Sequence, residues 1–198
     1  MVETQEAEAL YSRLGMARKD VWRLRKQFND EDTENTNTIT QTMFFFLINK
    51  ERRNLTRTTF RITKIPTLQP RLTFDEYLCC VCEFASLSEV KLLKFFYQVY
   101  NEDSTTGGAM GESEILKLDK ELQAMNSVFS KNVSISTKKM TSSRDLMSQQ
   151  MLLTFQDFER LSRQNRVAFY LLFQMQRNIR VGNLGEEYWI EKTREKLE

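Results

Sequence analysis

The chain of 198 residues contains no histidine. Ser-His-Asp and Cys-His nucleophiles, histidine general bases and histidine-bearing metal sites are therefore excluded, and most hydrolytic chemistries go with them. Glycine and proline are scarce, at 6 and 2 residues, which leaves too little turn chemistry for a many-stranded β architecture and points to helix. Cysteine is confined to Cys79, Cys80 and Cys82. That odd number and close spacing make no disulfide framework and, without histidine, fall short of a four-ligand zinc site. Free thiols of this kind suit a reducing compartment. The longest apolar runs, residues 43–48, 77–82 and 167–173, are far below the roughly 20 residues needed to cross a bilayer. Residues 1–4 show neither a basic-then-apolar leader nor a myristoylation glycine, and residues 196–198 are no prenylation box. A cytoplasmic chain without a membrane partner is expected.

What is present is helical periodicity. Val21, Leu24 and Phe28 open it, a Thr/Asn-rich stretch over 29–42 interrupts it, and residues 43–48 resume it. A helix over 49–61 is expected to end before Pro66, and another to run over 74–84. Ser86-Leu87-Ser88-Glu89 has the spacing of a capping box for a helix carrying Val90, Leu93, Phe96, Tyr97 and Tyr100. Further helices are expected over 112–125, near 136–145 and over 155–164. A longer apolar one over 166–181 then meets a turn at Gly182 and Gly185.

An internal repeat adds more than composition can. Leu72-Thr73-Phe74-Asp75-Glu76-Tyr77 and Leu153-Thr154-Phe155-Gln156-Asp157-Phe158 align position by position. Each has an apolar residue, then a carboxylate four places later, then the start of a packed helix. Residues 103–114, from Asp103 through Gly108 and Met110 to Glu114, fit the same ruler, as do residues 32–43 with Asp32, Asn37 and Ile39. On these four segments the chain resembles the EF-hand superfamily over residues 17–165. Its end, residues 173–177 followed by residues 184–189, is similar to the tails of divergent EF-hand proteins of protists, some of them flagellar. The resemblance implies an all-α fold with two EF-hand pairs, residues 1–85 and 86–165, followed by a C-terminal helix and tail over 166–198. It also implies short β ladders pairing Ile39 with Leu72 and Met110 with Leu153.

The resemblance further implies a calcium test for each loop, since the ion needs six to eight oxygens from fixed positions. The first loop ends in Met43 where a bidentate carboxylate is required. The second, residues 65–76, keeps Glu76 but begins with Ile65 and carries Pro70 at the turn. The fourth, residues 146–157, has only Asp157. Only the third keeps both ends, with Asp103, a Thr105 hydroxyl, the Ala109 carbonyl and Glu114 as its ligand set. Calcium is thus expected at one weak site at most, with Kd roughly 10⁻⁴ to 10⁻³ M, and no cofactor is required. A net charge of +2 is also unlike an acidic calcium sensor.

Partner surfaces come from charge and from apolar excess. Lys50, Arg52, Arg53, Arg57, Arg61, Lys64 and Arg71 face a single acidic residue, Glu51, across that stretch. This segment is either a merely solvated helix face or a docking surface for an acidic protein surface such as a tubulin tail, whereas the small net charge and lack of a reading motif argue against nucleic acid. Residues 167–173 are apolar on nearly all sides and must be covered. Phe169, Phe173 and Trp189 are the expected anchors, either in the groove of the second lobe or on a partner. Phe44, Leu47, Tyr77, Phe84, Phe96 and Phe158 either line a groove for an amphipathic helix or, the weightier alternative for most of them, fill the cores of two small lobes. The reading is a non-enzymatic, largely calcium-independent interaction or scaffold protein of a cytoskeletal or axonemal assembly in a cilium or flagellum; the alternative is a weak calcium sensor working through the third loop.

Overall fold

The computed structural model describes residues 2–48, 54–66, 68–101, 108–125, 130–141 and 152–194. The chain forms two compact units, Met1–Ser88 together with Met175–Glu198, and Glu89–Gln174. Residues 166–198, read from the sequence as one tail, are thus divided between them. No helix among the described residues is long and apolar enough to cross a membrane.

The first unit begins with α1 (Gln5–Arg13), capped by the Thr4 side chain and burying Ala7 and Leu10. It continues with α2 (Arg18–Glu31), β1 (Thr38–Thr40) and α3 (Gln41–Leu47). α4 (Asn54–Arg57) runs into a 3-10 helix (Thr58–Thr63), and β2 (Arg71–Thr73) leads into α5 (Phe74–Ala85). The helix expected over 49–61 is therefore short and tight where described. Threonines explain this: Thr59 Oγ1 donates to Thr56 O at 2.7 Å and Thr63 Oγ1 to Phe60 O at 3.3 Å. Such i−3 bonds compete with α-helical pairing. Phe28, Phe44, Phe45, Phe60, Phe74 and Tyr77 form one ring cluster with centroids 5.0–6.2 Å apart.

The second unit holds α6 (Glu89–Tyr100), α7 (Glu112–Met125), α8 (Ser130–Thr141), α9 (Phe155–Gln164) and the first part of α10 (Tyr170–Gly182). The capping box expected at Ser86 does not form. Ser86 is the C-cap of α5, its hydroxyl donates to Glu83 O at 3.2 Å, and α6 starts only at Glu89. The apolar helix expected from residue 166 starts at Tyr170, after turns over 165–169. Ala168, Phe169, Leu171 and Leu172 are buried in this unit, and Phe169 packs edge-on to Phe158 with centroids 5.6 Å apart. Of the two readings of this aromatic set, core filling is the one observed: Phe44, Tyr77, Phe84, Phe96 and Phe158 are all fully buried, while Leu47 is half-buried.

The rest of α10, with α11 (Glu186–Arg194), completes the first unit. The C-terminal carbonyls of α5 would lack donors within their own helix. Gln176 Nε2 donates to Phe84 O and Leu87 O at 3.1 and 2.8 Å, and Arg180 donates to Ala85 O and Leu87 O at 2.8 and 3.1 Å. The guanidinium also complements the negative end of the α5 dipole. Asn183 is 1% exposed and bonds in three directions. It accepts from Tyr77 Oη and from Trp189 Nε1, both at 2.5 Å, and donates to Ile179 O at 2.8 Å.

Candidate functional site

The segments with chemistry to examine are the loops that precede α3, α5, α7 and α9. Their register in the structure is specific. Ile39 and Leu72 are Cα partners in the antiparallel β1–β2 pair, and Met110 and Leu153 form an antiparallel bridge with reciprocal N–H···O bonds of 2.9 Å. These are the residues that the EF-hand resemblance implied as partners. All four are buried, so apolar burial and backbone pairing act at the same place. In the second unit Tyr97 Oη lies 2.9 Å from Gly108 O and 2.7 Å from Leu153 O, tying both sides of the bridge. Burial raises the pKa of that phenol, which keeps it a donor.

The repeat has a second physical meaning at the helix starts. The Thr40, Thr73 and Thr154 hydroxyls accept from the backbone N–H groups of Met43, Glu76 and Asp157 at 3.2–3.3 Å. In return Glu76 Oε2 accepts Thr73 N–H at 2.8 Å, Glu114 Oε2 accepts Gly111 N–H at 2.7 Å, and even Met43 Sδ lies 3.4 Å from Thr40 N. Asp157 receives the Thr154 hydroxyl at 2.7 Å and the Arg160 guanidinium at 2.6 Å. These are capping boxes or their close variants. The carboxylates at the loop ends are therefore engaged by protein donors. Glu114 and Ala109, the described members of the expected third-loop calcium set, are buried; Asp103 and Thr105 lie outside the described residues.

The first-unit loops are cross-linked further. Gln69 Nε2 donates to Glu76 Oε1 and to Arg71 O, both at 2.8 Å. Arg71 crosses from the second loop to the first. Its Nη2 meets Glu34 Oε2 at 3.0 Å, Thr36 Oγ1 at 2.9 Å and Thr38 O at 3.3 Å, and its Nε donates to Thr38 Oγ1 at 2.7 Å. Asp32 Oδ1 accepts Thr36 N–H at 3.1 Å and lies 3.1 Å from the Thr36 hydroxyl. Asn35 and Asn37 take φ of 53° and 56°, the left-handed conformation that asparagine tolerates best after glycine.

Burial acts to raise the Asp32 pKa, but hydrogen bonds from Thr36, the Asn37 backbone and the positive charge of Arg71 outweigh it and hold the group below its ordinary value of 3.8. The unfolded chain then binds more protons through that range, so the Asp32 contribution is complete above about pH 4 and is lost as pH falls through the folded pKa. Asp32→Asn is expected to be less stable than wild type at neutral pH, with the gap closing on acidification below pH 4 in urea titrations. A gap independent of pH would refute this account.

The sequence-named partner residues fall into different settings. Arg52 and Arg53 lie outside the described residues. Arg57 is half-buried, whereas Arg61 and Lys64 are exposed around the end of the 3-10 helix. Arg71, from the same basic stretch, points onto the first loop instead of outward. Phe169 and Trp189, at 2% and 0% exposure, belong to the cores of their own units, and Phe173 is half-buried with the Arg166 guanidinium 5.0 Å above its ring. Sequence reasoning missed exposed apolar side chains in the first unit, among them Trp22, Phe46 and Leu68, at 64%, 75% and 87%. Trp22 follows the buried periodicity of α2 by only one residue, so spacing alone did not separate it.

A cleft of about 530 Å³ opens in the same unit among α1, the 3-10 helix and α5, lined by Glu6, Lys64, Asp75, Glu76, Cys79 and Glu83. Asp75 already accepts the backbone N–H groups of Glu3 and Thr4 at 2.8 and 2.6 Å. The Cys79 thiol is pushed up to about 11 by burial and then by the Asp75 carboxylate, so it is protonated at neutral pH. All three cysteines are free. No protein-family model matches the chain, and no curated protein matches it.

Proposed function

We propose that the chain is a non-enzymatic, EF-hand-like interaction protein that works as a scaffold without needing calcium. The observation that carries this reading is the way the loop segments are closed. Ile39 pairs with Leu72 and Met110 with Leu153, while Glu76, Glu114 and Asp157 cap helices or meet protein donors at the positions where an EF-hand would present ligands. Loops held this way keep paired helices in place with no ion present. The interaction role is supported by the exposed Trp22 and Phe46, since aromatic side chains are enriched at interfaces. It is also supported by Arg61 and Lys64 at the exposed end of the basic stretch.

The partner that suits this face is an acidic protein surface, of which a tubulin tail in a cytoskeletal or axonemal assembly is the leading candidate. Attraction of that kind is screened over a Debye length of about 8 Å at physiological ionic strength. Binding to an immobilised acidic tail peptide is expected to fall steeply between low and physiological salt, and to be unchanged by a calcium chelator. Reversing Arg61 and Lys64 to Glu should abolish it while leaving the circular dichroism and melting curve near wild type, because both side chains are exposed and surface charges contribute little stability. Full binding by that double variant at low salt would remove the basic face from the reading. Binding that requires calcium would remove the scaffold reading itself.

A further inference from the structure

The first loop gathers oxygen atoms around a positive charge. Glu34 Oε2, Thr36 Oγ1, Thr38 Oγ1 and Thr38 O all lie within 2.7–3.3 Å of Arg71 guanidinium nitrogens, and Asp32 is bound to the same Thr36. A carboxylate, hydroxyls and a backbone carbonyl converging on one cation, with a second carboxylate beside them, is the donor chemistry of a hard divalent metal site. Here the cation is covalently part of the chain. Arg71 reaches it because β1 and β2 pair in antiparallel register with Thr40 opposite Arg71 and Ile39 opposite Leu72.

We infer that the Arg71 guanidinium is the resident cation of the first loop, holding in cis oxygens that without it would take a divalent cation only weakly, since Met43 supplies no carboxylate at the loop's end. Its planar fork spreads its donors over several oxygens at once, which an ammonium of point-like charge does less well. The salt bridge to Glu34 is too exposed, at 34% and 60% for the two side chains, to explain the arrangement by ion pairing alone. The site is formed by the loop as a whole. A permanent internal cation also removes any dependence of this loop on metal concentration. The inference rests on these contacts and stands whether or not the chain binds an acidic partner.

The test compares wild type, Arg71→Met and Arg71→Lys in calcium chloride and in terbium chloride, by melting temperature and by amide chemical shifts. Wild type is expected to show no shift at Thr36 or Thr38 amides up to millimolar calcium. R71M should melt lower by roughly 2–4 °C, recover that loss as calcium approaches the roughly 10⁻³ M range of weak oxygen sites, and shift the Thr36 and Thr38 amides as it does so. R71K should sit between the two, keeping charge but losing the fork. Terbium should bind R71M tenfold or more tightly than wild type at this loop, with the Thr36 and Thr38 resonances locating the ion. An R71M that loses stability without recovering it in calcium, one that loses none, or a wild-type first loop that itself responds to calcium would each overturn the inference.

Discussion

Trp189→Ala is expected to cost the first unit about 3–5 kcal/mol, the range for removing a fully buried large aromatic side chain. Trp189 is 0% exposed and among the largest buried side chains of the protein. Its removal deletes core volume and leaves the Asn183 carbonyl without the indole N–H that lies 2.5 Å away. Asn183 in turn holds the Tyr77 hydroxyl, whose pKa burial raises well above the ordinary phenol value. Loosening the turn at Asn183 therefore leaves a second buried donor without its acceptor, which adds to the cavity term. Trp189→Phe separates the contributions. It keeps most of the volume and loses only the N–H, so a cost nearer 1–3 kcal/mol is expected. Chemical denaturation followed by near-ultraviolet dichroism checks both. A loss below about 1 kcal/mol for the alanine variant would show that the core repacks around the gap.

Truncation is expected to act on the two units differently depending on where it falls. Ending the chain after Gln164 removes Ala168, Phe169, Leu171 and Leu172 from the second unit. Phe158 then loses its edge-on partner Phe169, and the apolar wall formed by Ile115, Leu118, Leu122, Val133 and Met140 loses Ala168 and Phe169. Exposed apolar area of that size binds hydrophobic dye and promotes association. The same cut takes Gln176, Arg180, Asn183 and Trp189 from the first unit. Ending the chain after Gln174 spares the second unit's share and removes only the first unit's. Hydrogen exchange on the two truncated chains should therefore show protection of α7 and α9 amides lost in the shorter one and kept in the longer, with α5 amides losing protection in both. A 1–164 chain that stays monomeric and silent to dye would overturn the packing argument for residues 168–172.

The repeated segments were legible because their physics is local. A threonine followed three residues later by Glu76 or Asp157 is a capping signal that any chain of that sequence carries. The apolar residue just before the cap at Leu72 and Leu153 must be buried next to the helix it precedes, and the EF-hand resemblance then names the partners. α1 was also written locally, with Thr4 as cap and Ala7, Leu10 and Leu14 on one side, but nine residues of mostly polar sequence made a weak periodic signal. The threonine run over 56–63 misled in the other direction. Its apolar spacing suited an α-helix, whereas hydroxyls bonding back to carbonyls shortened it to a 3-10 turn.

The sequence by itself determined the helical class, the absence of histidine chemistry and the helix starts after Thr73 and Thr154. These follow from composition or from residues a few positions apart, whereas the pairing of Ile39 with Leu72 and Met110 with Leu153 was implied by the EF-hand resemblance. Only the tertiary structure decided that Arg71 turns from a basic stretch onto Glu34, Thr36 and Thr38, that Gln176 and Arg180 close the end of α5, and that Asn183 joins Tyr77 to Trp189. Apart from the Asn183–Trp189 bond, those contacts link residues 33–106 positions apart. No period or spacing encodes them, because which polar group satisfies a buried donor depends on what the folded chain brings within about 3 Å of it.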